Sequence, residues 1–244
     1  MSPAVSLLLS LAAEESRGLL VAEMFGPTFQ GEGPSAGRQA VFVRLSRCNL
    51  ACSWCDTPYT WDWRRFDPAA EARRIPVREV AAWALDRPSP LVVITGGEPL
   101  LQQPRLIELV GELREAGRRV EIETNGTIPP DPALVGLVDQ FNVSPKLASA
   151  GGHPTRRIDP GALRVFVATG KAVFKFVLTN VAEAKEVAEL QDTYGLDPIW
   201  VMPEGTSAEA VLAGMRELAD EALTRGWNLT PRLHVLLWGD TRGR

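Results

Sequence analysis

Cysteine is scarce in this sequence, and its copies are confined to one short segment. Among 244 residues there are three cysteines, at Cys48, Cys52 and Cys55. An odd number of cysteines cannot pair off within one chain, and secreted disulfide scaffolds use several conserved pairs. The sequence therefore predicts no disulfide framework, and we expect a protein of the reducing cytoplasm.

The sequence predicts no membrane span and no secretory leader, and it has no excess of basic residues. The apolar stretch Val5–Ala13 is too short to cross a bilayer, no Lys or Arg precedes it, and Glu14 follows it. Lys and Arg total 26 against 30 Asp and Glu, which gives a net charge of −4. No overall positive field draws this chain to nucleic acid or to an anionic membrane, so we expect neither as a partner. We interpret residues 1–16 as an N-terminal extension, either a short helix or disordered.

Short apolar runs alternate with helical patterns along the rest of the sequence. Eight runs have the length and composition of strands: Leu20–Phe25, Ala40–Leu45, Leu91–Ile94, Val120–Ile122, Phe141–Val143, Val173–Leu178, Ile199–Met202 and Leu233–Trp238. Helices are predicted at Val77–Leu85, Arg105–Ala116 and Val181–Tyr194, and between Ser207 and Gly226. Such alternation forms a largely parallel sheet with right-handed crossovers. The predicted fold class is α/β, either doubly wound or curled into a full or partial barrel, in one large domain.

Polar segments rich in glycine or proline follow four of the predicted strands. They are the cysteine segment after Leu45, Thr95–Pro99 after Ile94, Glu123–Thr127 after Ile122, and Ser144–Lys146 after Val143. The carboxyl ends of parallel strands meet at one edge of a sheet, where α/β enzymes hold their active sites. We therefore expect these segments to form one site.

The cysteines have the spacing CxxxCxxC, which lets three thiolates converge on one metal centre. Soft thiolate ligands select zinc, copper(I) or iron–sulfur clusters. Structural zinc needs four closed ligands, and the only histidines, His153 and His234, are distant in sequence. A four-iron cluster held by three cysteines keeps one iron open for a catalytic ligand. The spacing therefore favours a cluster over structural zinc, and both over unliganded buried cysteines.

This motif, with Trp54 before the third cysteine, resembles the signature of the radical S-adenosylmethionine superfamily. The segment Gly96–Pro99 resembles the second motif of that superfamily. Within it, four segments are similar to the 7-carboxy-7-deazaguanine synthase family: Phe29–Gly33, Val43–Leu45, Cys55–Thr57 and Leu233–Arg244. The resemblance extends over residues 19–244. It implies a partial (β/α) barrel of the radical S-adenosylmethionine type, with one domain spanning residues 17–244.

The resemblance also implies which residues bind the cofactors. Cys48, Cys52 and Cys55 are the implied ligands of a [4Fe–4S] cluster, whose open iron binds S-adenosylmethionine. Further contacts to S-adenosylmethionine are expected from Trp54, Cys55, Asp56, Gly97, Glu98, Ser144, Pro145 and Lys146. Glu98 is expected to pair with the methionyl ammonium group, and the alternative is that it caps a helix N-terminus.

The implied reaction is the radical ring contraction of 6-carboxy-5,6,7,8-tetrahydropterin to 7-carboxy-7-deazaguanine, with loss of ammonia and with S-adenosylmethionine regenerated. The implied substrate contacts are Phe29, Gln30, Gly31, Glu32, Arg44 and Thr95. Arg44 offers a guanidinium fork suited to a carboxylate, and its alternative role is a structural ion pair. Thr57 is the implied ligand of Mg²⁺, an ion that takes oxygen ligands and is often held by few protein groups.

The implied partners are an external one-electron reductant, of the flavodoxin or ferredoxin type, and a second copy of the chain in a homodimer. Three rival functions stay open. They are an activase that removes hydrogen from a glycine of a partner protein, a zinc-stabilised RNA-binding module, and an iron–sulfur electron carrier. The activase does not predict the polar set around Gln30 and Arg44. Net charge and the missing fourth ligand disfavour the RNA-binding module, and a carrier normally supplies four cysteines.

Overall fold

The computed structural model describes residues 18–244, and this part of the chain forms one nine-stranded sheet. The extension expected at residues 1–16 lies outside the described residues. The strands are β1 (Leu19–Phe29), β2 (Gln39–Leu45), β3 (Arg73–Ile75), β4 (Leu91–Gly96), β5 (Arg119–Thr124), β6 (Gln140–Val143), β7 (Ala172–Leu178), β8 (Ile199–Pro203) and β9 (Asn228–Leu229).

Most of the sheet is parallel. The spatial order is β3-β1-β2-β4-β5-β6-β7-β8-β9, and every neighbouring pair from β2 to β9 in this order is parallel. β1 pairs antiparallel with both β2 and β3. Since β3 and β9 end this order without pairing to each other, the sheet formed by residues 18–244 is an open, partial (β/α) barrel. The predicted α/β class with a largely parallel sheet is confirmed.

Helices connect the parallel strands and cover the sheet. Those in the described part of the chain are α1 (Pro68–Glu71), α2 (Val77–Leu85), α3 (Gln103–Glu115), α4 (Pro132–Leu137), α5 (Pro154–Arg157), α6 (Pro160–Thr169), α7 (Ala184–Tyr194), α8 (Ala208–Arg225) and α9 (Leu233–Trp238). The predicted boundaries of α8 follow from its caps: the Ser207 hydroxyl accepts from the Ala210 N–H, and Gly226 ends the helix with φ of 68°. None of these helices is both long and apolar enough to span a membrane.

The main core lies between the sheet and its covering helices. Residues Leu91–Ile94 of β4 are all fully buried, as expected of a strand covered on both faces. Phe141 of β6 packs edge to face against Phe166 of α6, with ring centroids 5.5 Å apart. This core holds the strands in place, so that their carboxyl ends form one rim.

The prediction of a strand at Leu233–Trp238 is wrong, because these residues form α9. An apolar run of six residues has no periodicity that separates a strand from a short helix. Val235 is its fully buried residue, whereas Leu237 is 51% exposed. The strands β3 and β9, and the helices α1, α4, α5 and α6, were not predicted either, since most are short and lack a clear pattern.

We predict that Phe141→Ala lowers the free energy of unfolding by about 3–5 kcal/mol, because the ring is fully buried and its removal leaves a cavity. Leu223→Ala is the matched control, since Leu223 on α8 is 78% exposed; we expect a change below about 0.5 kcal/mol. Urea unfolding followed by circular dichroism measures both values. Equal losses would contradict the core position of Phe141.

Candidate active site

A cavity of about 580 Å³ opens at the carboxyl ends of the parallel strands. Loops after β2, β4, β5 and β6 line it, together with the segment that contains α9. All the predicted site residues except Glu98 and Pro145 line this cavity: Phe29, Gln30, Gly31, Glu32, Arg44, Cys48, Cys52, Trp54, Cys55, Asp56, Thr57, Thr95, Gly97, Ser144 and Lys146. The volume is in the range of small-molecule sites.

The three cysteines form one wall of the cavity as free, partly buried thiols. The Leu50 N–H donates to Cys48 Sγ at 3.4 Å, and the Trp61 indole N–H donates to Cys55 Sγ at 3.3 Å. Burial raises the pKa of the Cys48 thiol to about 12, and it raises the pKa of Cys52 as well. Burial thus opposes the thiolate form of both groups, and a bound metal centre would supply the positive charge that stabilises it.

A structural zinc site would need its ligands close to a single point. A structural zinc site brings thiolate sulfurs to about 2.3 Å from one point. Within residues 18–244, no three His, Cys, Asp or Glu side chains converge in that manner. Each thiolate of a four-iron cluster binds a different iron, so its sulfurs lie farther apart. A preformed set of ligands for structural zinc is therefore absent from the described residues.

Gly96 and Gly97 bring the loop after β4 closer to the cysteine loop than any other residue type would allow. A Cβ on Gly96 would lie 2.1 Å from the Leu45 carbonyl oxygen. A Cβ on Gly97 would lie 2.1 Å from the Arg47 carbonyl oxygen and 2.9 Å from the Cys48 Cβ. The backbone of Gly97 therefore reaches the cavity beside a cysteine, where a ligand can approach it closely.

Glu98 is fully buried, and its carboxylate forms hydrogen bonds with other groups of the protein. Its carboxylate accepts from the Leu100 N–H at 3.0 Å, the Thr124 hydroxyl at 2.9 Å and the Asn125 N–H at 2.7 Å. Burial raises the pKa of this carboxyl group. Both oxygens already have donors, so the geometry supports the capping alternative for Glu98 and not the expected pairing with an ammonium group. Pro145 does not line the cavity either.

The loop after β6 places a cation beside the cysteine wall. Lys146 Nζ donates to Ser144 Oγ at 2.9 Å and lies 5.6 Å from the centre of the Trp54 ring. The Trp54 indole N–H is buried and has no hydrogen-bond partner in the described part of the chain. Buried donors are nearly always paired in folded proteins. The Lys146 cation and the Ser144 hydroxyl, which both line the cavity, therefore fit an anionic ligand such as a carboxylate.

A carboxylate that the sequence analysis did not single out lies among the predicted substrate contacts. Glu123, on β5, accepts from the Gln30 amide at 3.1 Å and from the Thr95 hydroxyl at 2.7 Å. All three side chains line the cavity. The alternation of β5 was the available signal, since Glu121 and Glu123 fall on the face opposite the apolar side chains.

Arg44, on β2, forms an ion pair that leaves part of its guanidinium group open. Its Nε donates to Glu23 Oε1 at 2.7 Å, and the Tyr59 hydroxyl donates to the same oxygen at 2.7 Å. The terminal nitrogens of Arg44 form no hydrogen bond within residues 18–244. The structural ion pair that was the alternative role is therefore present, and it orients a cavity-lining cation whose free edge can bind a carboxylate.

A buried ionic network connects the substrate side of the cavity to the cysteine loop. Glu32 binds Lys175, and its Oε1 lies 3.3 Å from Arg232 Nε. Arg232 Nη2 continues to Asp56 Oδ2 at 2.5 Å. Burial opposes the charge on Glu32, but the two cations outweigh it and hold the pKa of this carboxyl well below its usual range. Since Asp56 directly follows Cys55, the network ties the position of the cysteine loop to Glu32.

Lys175, Arg232 and His234 were not among the predicted site residues. Lys175 interrupts the apolar run of β7, a pattern that indicates a paired buried cation. His234, expected on a strand, lies on α9 and lines the cavity, and burial lowers its pKa. A Cβ on Gly31 would lie 2.1 Å from His234 Nδ1, which explains the glycine at that position. No local pattern identifies Arg232, whose role depends on partners far away in sequence.

Thr57 lies in the same wall, with its hydroxyl close to the Cys55 thiol. Its Oγ1 is 3.7 Å from Cys55 Sγ, and no closer partner of this hydroxyl is present in residues 18–244. The side chain is largely buried and lines the cavity. The neighbouring Asp56 carboxylate is paired with Arg232. Of these two oxygen-bearing side chains, the hydroxyl is therefore the one without an ionic partner.

We predict that Glu32→Gln lowers the free energy of unfolding by about 3–5 kcal/mol, because two buried cations lose their counter-charge. Glu204→Gln is the matched control: Glu204 lines the same cavity but forms no ion pair in the described part of the chain, so we expect a small effect. Chemical unfolding at neutral pH measures both. Equal losses in the two variants would contradict the network.

The pH dependence of stability provides a second measurement on the same variant. Because the folded pKa of Glu32 is lowered, its contribution is fully present above the unfolded value of about 4.3 and is lost as pH falls below it. Wild type should therefore lose more stability than Glu32→Gln between pH 5 and more acidic conditions, roughly two units lower. Parallel pH profiles would contradict the lowered pKa.

Three comparisons with known proteins agree with this geometry. Residues 43–187 match the family model of the radical S-adenosylmethionine (SAM) superfamily. The 7-carboxy-7-deazaguanine synthase of Pyrobaculum aerophilum is 40% identical over 228 residues, which cover 92% of this chain and 96% of that protein. The synthase of Hyperthermus butylicus is 38% identical, with coverage of 90% and 92%. The crystal structure of QueE from Escherichia coli has a TM-score of 0.67 and 26% identity, covering 90% of this chain and 96% of that chain. The chain therefore belongs to the 7-carboxy-7-deazaguanine synthase family of the radical S-adenosylmethionine superfamily.

Proposed function

We propose that the protein is a carbon–nitrogen lyase of queuosine biosynthesis that converts 6-carboxy-5,6,7,8-tetrahydropterin to 7-carboxy-7-deazaguanine, with loss of ammonia. The observation that carries this proposal is that one cavity holds both the cysteine wall and a polar set that includes Gln30, Arg44 and Glu123. A simple electron carrier has no use for such a cavity. Family membership supplies the reaction, and the side chains of the cavity match its reactants.

We assign the cysteine wall to a [4Fe–4S] cluster and the adjoining loops to S-adenosylmethionine. When bound, these cofactors supply the deoxyadenosyl radical that removes a hydrogen atom from the substrate. The chain contributes positioning: Lys146 and Ser144 bind the carboxylate of S-adenosylmethionine, and the Gly97 backbone lies beside Cys48. The enclosing walls exclude water and stray C–H groups from the radical.

The other side of the cavity offers groups matched to a carboxypterin. The open edge of the Arg44 guanidinium binds the substrate carboxylate in a fork. The Glu123 carboxylate, held by Gln30 and Thr95, accepts hydrogen bonds from the amino and ring N–H groups of the pterin. His234, whose lowered pKa keeps its imidazole neutral near pH 7, lies at the same side and can exchange protons with the substrate.

We further propose that Thr57 binds a Mg²⁺ ion together with substrate oxygens. Mg²⁺ is commonly held by few protein groups and completes its shell with substrate oxygens and water. Asp56 would be the stronger ligand by charge, but its carboxylate is engaged by Arg232. The Thr57 hydroxyl, whose one contact is with Cys55 Sγ, is therefore the protein oxygen available at this place.

The remaining parts of the proposal concern the electron donor, the cellular compartment, the oligomeric state and the extent of the domain. The protein takes one electron from an external flavodoxin or ferredoxin, works in the cytoplasm, and forms a homodimer with residues 17–244 as one domain. The three free thiols, close together and unpaired, support a reducing compartment. The reductant and the homodimer rest on the family resemblance.

We predict that the anaerobically reconstituted and reduced protein forms 7-carboxy-7-deazaguanine from 6-carboxytetrahydropterin, S-adenosylmethionine and Mg²⁺. Mass spectrometry should find this product in excess over 5′-deoxyadenosine, because S-adenosylmethionine is regenerated. Cys52→Ser, which removes one cluster ligand, is the control and should form no product. Release of deoxyadenosine without formation of 7-carboxy-7-deazaguanine would support the radical chemistry but refute the proposed substrate.

We predict that Thr57→Val abolishes the stimulation by Mg²⁺ and lowers kcat/KM at least about tenfold, because it keeps the shape of the side chain and removes its oxygen. Thr57→Ser keeps the hydroxyl and should retain the Mg²⁺ dependence. Initial rates with and without Mg²⁺ measure both. Iron content serves as the control for cluster loading, since Thr57 Oγ1 lies 3.7 Å from Cys55 Sγ. Undiminished stimulation in Thr57→Val would rule out this ion site.

A further inference from the structure

The cysteine loop has an outer side that the cavity does not use. Residues 144–158 pack against residues 46–54: the Ser53 N–H donates to the Ala150 carbonyl at 3.0 Å, and the Ser53 hydroxyl donates to the Ser149 carbonyl at 2.9 Å. Arg156 Nη2 donates to the Asn49 carbonyl at 3.3 Å. These contacts join the two segments into one surface, which we name the outer face of the cysteine loop.

The outer face is basic although the whole chain is acidic. Its two segments contain four Lys or Arg and no Asp or Glu, whereas the net charge of the chain is −4. Arg47 and Arg156 are exposed, do not line the cavity, and form no ion pair within residues 18–244. Lys146 lines the cavity and Arg157 pairs with Glu186, so these two cations are occupied elsewhere. The charges of Arg47 and Arg156 are therefore available to something outside the protein.

The backbone conformation at Arg47 does not favour an arginine at this position. Among residues 18–244, Arg47 is the non-glycine residue with a positive φ, 78°. Two hydrogen bonds hold this conformation: the Arg47 N–H donates to the Thr60 carbonyl at 2.7 Å, and the Glu98 N–H donates to the Arg47 carbonyl at 2.8 Å. A left-handed backbone conformation costs most residues about 1–2 kcal/mol of conformational free energy. Glycine or asparagine would adopt this conformation more easily. An exposed arginine here points to a role for its charge.

An exposed apolar side chain lies on the turn bonded to Arg47. Leu101 is 45% exposed, and its N–H donates to the carbonyl of Glu98, whose own N–H binds Arg47. Protein interfaces combine apolar contacts with a polar, charged rim. Leu101 therefore offers an apolar contact close in the chain to the Glu98–Arg47 hydrogen bond.

We propose that the outer face of the cysteine loop is the docking surface for an acidic one-electron carrier protein. This inference rests on the proposed function, because a cluster held by this loop needs an electron from outside the protein. Ala51 and Ser53, which lie between cluster ligands, are exposed on this side, whereas the inner side is the cavity for the cofactor and the substrate. One electron passes from the reduced carrier to the cluster, the carrier is oxidised by one electron, and no bond forms or breaks. Arg47 and Arg156 match an acidic partner in charge.

The test compares the loaded wild-type enzyme with the double variant Arg47→Asn/Arg156→Glu, in which asparagine suits the left-handed backbone. Electrons come either from a reduced flavodoxin of net negative charge or from dithionite, a small molecule that needs no docking surface. The apparent KM for flavodoxin should rise about tenfold or more in the double variant, and the rate constant of cluster reduction in stopped flow should fall by a similar factor. Calorimetry should show the same loss in the affinity for oxidised flavodoxin. Turnover with dithionite should be alike in both enzymes.

Arg216→Glu is the matched control, because Arg216 is an exposed arginine on α8 and lies outside this face. It should leave the KM for flavodoxin unchanged. Raising the ionic strength should raise this KM in wild type and have less effect in the double variant. If iron analysis shows that the double variant loses its cluster, the single variant Arg47→Asn provides the test, because the Arg47 side chain forms no hydrogen bond within residues 18–244 and asparagine suits its backbone conformation.

Equal KM values and reduction rates with flavodoxin in wild type and in the Arg47 and Arg156 variants would overturn the docking surface. A wild-type enzyme that forms no deazaguanine with dithionite would refute the proposed substrate instead. The rates of cluster reduction and the affinities for flavodoxin would still decide the docking surface in that case.

Discussion

Glu98, which is fully buried, joins the three loops on which the cavity depends. Its carboxylate oxygens accept from Thr124, the last residue of β5, and from Asn125, which follows it, while its backbone N–H donates to the Arg47 carbonyl beside the first cysteine. The Asn125 amide extends the connection by donating to Asn49 Oδ1 at 2.9 Å. Removing one donor would leave a buried acceptor unsatisfied, which costs more than an average hydrogen bond contributes. The loops after β2, β4 and β5 therefore keep one relative arrangement.

Charge pairing explains which groups of the cavity stay available to ligands. Glu32 is paired with two cations, and Arg44 is oriented by Glu23. Buried charges persist when they are paired and hydrogen-bonded, so these pairs keep the cavity ionised. Two groups stay available within residues 18–244: the terminal nitrogens of Arg44, which form no hydrogen bond, and the Thr57 hydroxyl, whose one contact is with Cys55 Sγ at 3.7 Å. Each of them is of a type that a bound carboxylate or metal-bound oxygen can satisfy.

Features of the site that are formed by residues adjacent in the sequence could be predicted. Features that depend on contacts between residues far apart in the sequence could not. The cysteine spacing and the glycines of the loop after β4 are local, and they lie together in the cavity as expected. Glu123 enters the cavity through the register of β5, and Arg232 through the packing of the segment before α9. Neither has a local pattern that would identify its partners. The role of Glu98 was uncertain for the same reason, since its donors come from another strand.

Arg232 closes the network across very long stretches of chain, since 200 residues separate it from Glu32 and 176 separate it from Asp56. A ribosome makes the cysteine segment early and Arg232 late, and chains of this size commonly fold through partly ordered states. Until Arg232 is in place, Glu32 lacks one cation and the cysteine loop lacks one anchor. The wall that contains the cysteines is therefore complete only once the segment before α9 has packed against it.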